Sequence, residues 1–123
     1  MVGINQNEAM IKAALLPLDE SSFHPRLAAT PGIALVLFSS PACGTCRVVE
    51  RRLPEAAPVN ASLFKVDVQQ ATALAQAFGI FHLPELFLYN AGHFHARLNC
   101  EINPVTLVAA VDKALSQPAE EEP

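Results

Sequence analysis

The chain reads as an α/β domain, a central mixed β-sheet flanked by helices on both faces. Three observations predict it. Residues 33–38 (IALVLF) form an apolar run without polar alternation, as a strand covered on both faces requires. From residue 15 to residue 78, strand-like runs alternate with helical ones, and helical crossovers join parallel strands. Beyond them, the β-rich runs 85–89 and 93–98 flank Asn90, Ala91 and Gly92, a three-residue connection with glycine where a hairpin needs positive φ, which adds an antiparallel edge. A length of 123 residues, 51% of them hydrophobic, fits one compact domain.

The elements follow in order. Residues 7–14 (NEAMIKAA) have helix-forming composition without an identifiable partner, so 1–14 is read as an N-terminal extension to a domain at 15–116. Residues 15–18 make a short strand. Asp19, Glu20, Ser21 and Ser22 suit the start of a helix that contains Phe23 and Leu27 and ends at the Pro31–Gly32 turn. After the central strand, 47–53 is helical with Val48, Val49 and Leu53 inward, and Pro54 and Pro58 mark its end or a kink. A strand at 62–68 leads to a helix at 71–78 closed by Gly79. Following the hairpin, Asn103 caps and Pro104 begins a last helix with Leu107, Val108, Val111 and Leu115 as its stripe. The acidic, proline-ended stretch 117–123 is expected to be a disordered tail.

Composition excludes several classes of function. Eight basic against twelve acidic residues leave no basic footprint for nucleic acid. The longest apolar run is strand-sized, far short of the ~20 residues that span a bilayer. Residues 1–18 lack the pattern of a secretory signal. A soluble, cytoplasmic protein is therefore expected, in a setting where a CxxC pair is catalytic or metal-binding more often than structural. Phosphate-binding loops and nucleophilic-serine signatures are absent.

The chemistry gathers at FSSPACGTCRVVERRL, where an apolar strand turns into a helix with Cys43 and Cys46 at the junction. Helical neighbours three apart have Cβ atoms ~5–6 Å apart, and a disulfide needs ~3.5–4.5 Å, so a small adjustment joins them. The loop so closed is too short to stabilise much, which makes the bond a switch rather than a staple. Only about 3% of a free thiol is ionised at pH 7. The helix N-terminus can favour the Cys43 anion by ~0.3–2 kcal/mol, about one unit of pKa. Cys46, one turn inside, is the more buried thiol. Cys43 is thus the expected nucleophile and Cys46 the resolving group.

Here the chain resembles the thioredoxin family over roughly residues 15–115, through CGTC after a buried strand, FKVDV, and FGIFHLPELFLYNAG. The resemblance implies a thioredoxin-like fold and a cis bond before Pro84, 38 residues after Cys46. It implies that Ala42, Gly44, Thr45, Leu83 and Pro84 line a groove where the Leu83 backbone pairs with an extended substrate. Protein disulfides are then the substrates, and no organic cofactor is needed. In a cytoplasmic setting the expected direction is their reduction, with electrons resupplied by a partner reductase.

The chain also departs from the family. Ala42 and Thr45 stand where tryptophan and proline are common, and Leu37 stands where thioredoxins place a buried acid, the usual proton acceptor for the resolving cysteine. Lys65 matches the family's lysine on the neighbouring strand. Glu85 is a substitute acid if it turns inward, although a solvent-facing strand end is the commoner fate of a carboxylate. Cys100 maps beside the groove, as a third thiol or simply a small hydrophobe. His82 maps to the rim, where its protonated form would favour the Cys43 thiolate. His93 and His95, two apart on a strand, are expected to share a face, and with the cysteines they raise a zinc reading. The ligand set is incomplete, and no metal site is expected. Arg47, Arg51 and Arg52 read as the solvated helix face or as a steering patch for an acidic partner. The competing function is a client-binding or chaperone module on the same fold, with little redox turnover.

Overall fold

The computed structural model describes residues 14–123, so most of the helical reading at 7–14 lies outside the described residues. The strands are β1 (Leu16–Leu18), β2 (Ile33–Ser39), β3 (Ser62–Asp67), β4 (Glu85–Asn90) and β5 (His93–Leu98). Between and after them come helices α1 (Phe23–Ala28), α2 (Gly44–Ala56), α3 (Thr72–Ala77) and α4 (Pro104–Leu115). The sheet order is β1-β3-β2-β4-β5. β3 pairs in parallel with β1 and β2, whereas β4 runs antiparallel to β2 and β5.

All seven residues of β2 are buried, because its side chains feed two cores. Ala34, Val36 and Phe38 pack with α1 and α3 through Phe23, Leu27, Leu74 and Phe78. Ile33, Leu35 and Leu37 pack with α2 and α4 through Leu53, Leu107 and Val111. A period of two on a strand assigns alternate residues to opposite helical layers, and the absence of polar alternation follows.

The helix ends carry their own chemistry. Asn103 Oδ1 accepts from the Thr106 N–H at 2.9 Å ahead of Pro104. Gly79, at φ +64°, closes α3. Its N–H donates to the Gln76 carbonyl, and that of Ile80 to the Ala75 carbonyl, satisfying the helix's last acceptors. The first turn of α3 borrows its cap, since Glu20 accepts from the Leu74 N–H at 3.0 Å. Asp19 organises the start of α1 by accepting from the backbone N–H groups of Ser21 and Ser22.

Three expectations are corrected. α2 spans Gly44–Ala56, longer at both ends than the 47–53 read as helical, and passes through Pro54; proline only removes the bond to the carbonyl four residues back, that of Glu50, and the helix continues past it. The hairpin loop has two residues, Ala91 and Gly92, both at positive φ (51° and 85°), the handedness that matches strand twist. Residues 117–123 do not hang free. β5 is an edge strand with unpaired backbone groups, and the tail lies along it: the Glu120 N–H donates to the His95 carbonyl at 2.8 Å, and the Arg97 N–H donates to Glu120 Oε1. Farther on, Glu122 accepts from the Tyr89 hydroxyl and meets His24 Nε2 at 3.1 Å.

Candidate functional site

The parallel strands deliver the chain to one end of the sheet. There β2 stops at Ser39, the buried Ser40 turns the backbone, and Cys43 caps α2 in an extended conformation. Ser40 shapes this turn twice, its carbonyl accepting from the Cys43 N–H and its hydroxyl from the Ala42 N–H. Arg47, grouped in the sequence reading with a solvated face, reaches back so that Nη2 donates to the Pro41 carbonyl at 2.8 Å. The loop before the first cysteine is thus clasped from the helix that follows it. The signal was there in a cation four residues after a helix cap, but nothing in sequence names its acceptor.

Cys43 and Cys46 are joined as a disulfide, with Cα atoms 5.2 Å apart. Cys43 is half-buried and Cys46 fully buried. The Cys46 N–H donates to Cys43 Sγ at 3.1 Å, so the outer sulfur takes the place a serine or aspartate side chain takes at other caps. Ala42, Gly44 and Thr45 are exposed around it.

The peptide bond between Leu83 and Pro84 is cis. Because Phe38 pairs with Glu85 across antiparallel strands, Pro84 lies at the same end of the sheet where β2 gives way to the cysteine loop. Leu83 and Pro84 are half-buried, and His82 and Phe81 are exposed, Phe81 to 86%. Continuing the Leu86–Leu98 register by two steps sets Cys100 across from Pro84. Cys100 packs against the core under α2 and α4, and burial pushes its thiol up.

The two charged tuning candidates, Glu85 and Lys65, lie on opposite faces of the sheet. Glu85 shares a face with Phe38, its register partner, and therefore looks toward the α1 and α3 layer. There its Oε1 lies 3.6 Å from Arg97 Nε, and Arg97 also lies over the Phe87 ring. The sheet stands between Glu85 and α2, so this carboxylate does not replace the acid missing at Leu37. Lys65 does face α2, as the register partner of Leu37. Its Nζ donates to Glu50 Oε1 at 3.3 Å. Glu50 was missed in the sequence because the acid was sought on strands. The usable signal was its spacing of four from Cys46.

The zinc reading loses a ligand to the backbone. A β-bulge pairs Tyr89 with Phe94 and Leu88 with Ala96, leaving His95 as the extra residue. His93, through its register partner Asn90, and His95 both lie on the α4 side of the sheet, as expected. The His95 Nε2, however, donates to the Ala114 carbonyl at the end of α4, so that nitrogen is spent. Among the described residues no group of three histidine, cysteine or acidic side chains is gathered for a metal, and no helix is long and apolar enough to cross a membrane.

Among curated relatives, the chain is 33% identical over 84 residues to protein disulfide isomerase-like 5-3 of Oryza sativa subsp. japonica, covering 63% of this chain and 20% of the relative. It is 29% identical over 91 residues to the probable protein disulfide-isomerase ER-60 of Schistosoma mansoni, covering 69% and 19%. The chain thus spans about a fifth of the length of these relatives. Among solved structures, the zinc-bound form of human ERp44 superposes with a TM-score of 0.68 over 80% of this chain and 31% of that one, at 19% identity, which is a likeness of fold. The thioredoxin family model matches residues 14–113, a span that holds the cysteine pair, the cis proline and all five strands, and the chain belongs to the thioredoxin family.

Proposed function

We propose that the protein is a thiol-disulfide oxidoreductase that exchanges its Cys43-Cys46 pair with protein disulfides. The observation that carries this reading is the asymmetry of the pair. Cys43 is reachable and accepts a backbone N–H at the helix terminus, whereas Cys46 is buried one turn inside. A Cys43 thiolate attacks a substrate disulfide, forming a mixed disulfide and releasing one substrate thiolate, which takes a proton from water. Cys46, once deprotonated, attacks Cys43 Sγ, closes the internal disulfide and releases the second substrate thiolate. Two electrons pass from the dithiol to the substrate, and a partner reductase restores them.

In this reading the exposed Ala42, Gly44 and Thr45 and the half-buried Leu83 and Pro84 form the walls of the peptide groove, with Leu83 offering backbone pairing to an extended client. The disulfide isomerases among the relatives support exchange chemistry in general. The reductive direction rests on a thiol-reducing compartment, and the relatives lend the cytoplasmic expectation no support.

A second reading, client binding with little turnover, is favoured by one observation: Phe81 stands exposed in the loop leading to Pro84. Insulin-disulfide reduction by wild type and Cys43→Ser separates the two. Turnover that vanishes in the variant supports the oxidoreductase. Its absence in both proteins, with client capture intact, replaces it with the binding module. Under the oxidoreductase reading, Cys46→Ser traps clients as mixed disulfides on Cys43.

A further inference from the structure

The resolving step has a proton to dispose of. Cys46 is fully buried, so its thiol has no direct outlet to bulk water, and its own backbone N–H is already given to Cys43 Sγ. A nearby base in contact with solvent is what the chemistry requires. On α2, Cys46, Val49 and Leu53 mark the inward strip, and Glu50 flanks it one turn beyond Cys46. A spacing of four along a helix sets Cβ atoms ~5–6 Å apart, a gap one water can bridge. Glu50 is 29% exposed and held by Lys65. It lines a pocket of about 600 Å³ with Ser39, Pro41, Arg47, Lys65 and Asp67, open to solvent at the ends of β2 and β3.

We propose that Glu50, held in place by Lys65, accepts the Cys46 proton in the resolving step and passes it to solvent through this pocket. The inference rests on the oxidoreductase reading and adds the group that substitutes for an acid on the strand. The Cys46 thiol gives its proton to the Glu50 carboxylate, and the thiolate attacks Cys43 Sγ. The Cys43 bond to the substrate sulfur breaks, and the departing substrate thiolate carries away the electron pair. Glu50 then releases its proton to pocket water. Lys65 is a positioning residue whose charge keeps the carboxylate turned toward the pocket. The other charged groups lining this space are Arg47 from the same helix, Asp67 from β3, and Asp19 after β1. Glu85 is excluded, because it lies across the sheet.

The test uses the reduced full chain in a Cys100→Ser background, so that two thiols report, mixed rapidly with a nitrothiobenzoate disulfide. The first burst of chromophore follows attack by Cys43 and the second follows resolution by Cys46. In Glu50→Gln the second phase slows by roughly 10²-fold, the usual scale of a lost general base, and loses its low-pH inflection, while the first phase changes little. Glu50→Asp recovers part of the rate, and Lys65→Gln moves the inflection. A second phase in Glu50→Gln within about twofold of wild type, with an unchanged pH profile, overturns the proposal. A wild-type protein with no fast first phase overturns the oxidoreductase reading itself, and the two failures are seen in different phases of one trace.

Discussion

The Cys46 backbone N–H donates to Cys43 Sγ at 3.1 Å, so the inner cysteine's main chain serves the outer cysteine's sulfur. A negative sulfur at that place gains from the helix terminus. Among the described residues Cys100 has no such donor, and burial disfavours its thiolate. In the reduced protein at pH 7, iodoacetamide is expected to label Cys43 at least about tenfold faster than Cys100. Mass spectrometry of time-quenched samples checks the order, and equal rates would remove the argument from the helix terminus.

Placing an acid at Leu37 tests which positions can receive the Cys46 proton. Leu37 is fully buried and pairs with Lys65 in register. Leu37→Asp exchanges apolar packing for a carboxylate and is expected to lose on the order of 2–5 kcal/mol of stability by chemical denaturation. In a Glu50→Gln protein it is nevertheless expected to restore part of the resolving rate.

Gly92 is needed for two reasons at once. It sits at φ +85°, and a Cβ there would lie 3.0 Å from Ala28 Cα and 3.2 Å from the Leu27 carbonyl oxygen. These are backbone atoms that cannot rotate away. Gly92→Ala is expected to destabilise by about 1–3 kcal/mol, read as a lower Tm without change in the thiol kinetics. Gly44, with open space around its Cβ position and no positive φ, is expected to accept alanine at little cost to stability.

Tyr89 is the chain's single tyrosine, with no tryptophan to mask it. Burial, and then its hydrogen bond to Glu122, push its phenol well above the usual range. The folded state therefore keeps a proton that the unfolded chain loses near pH ~10. The stabilising contribution is complete below that pH and is lost as pH rises toward the folded value. Absorbance at alkaline pH is expected to show Tyr89 ionising together with unfolding. Removing residues 118–123 uncovers the phenol, brings its ionisation to lower pH and costs about 1–2 kcal/mol.

Much of this was legible in the sequence, because the signals were local. The unbroken apolar run at Ile33 and beyond announced a strand with two helical layers. Asn103 before Pro104, Gly79 after Phe78 and the cysteine pair after Ser40 each declare a terminus through a neighbour's chemistry. What escaped was non-local. That Glu20 caps α3, that Arg47 holds Pro41, and that Glu122 finds Tyr89 depends on which ends meet after folding. The side that Glu85 takes was open for a similar reason: the alternation that sends Leu86 toward α2 sends its neighbour the other way, and only the register with Phe38 fixes which is which. The partner of His95 escaped because the Ala114 carbonyl that it meets lies on a helix that the strand pattern does not name.

The sheet also separates two electrostatic compartments. Glu85 with Arg97 occupies one side and Glu50 with Lys65 the other, with the wholly buried β2, apolar from Ile33 to Phe38, between them. A wall of hydrocarbon that thick lets charge be rearranged on one side without a matching rearrangement on the other. Under the oxidoreductase reading, charges on the Glu85 side can then change without disturbing the Glu50-Lys65 pair beside the cysteine helix, so that the two faces of one small domain become separately adjustable.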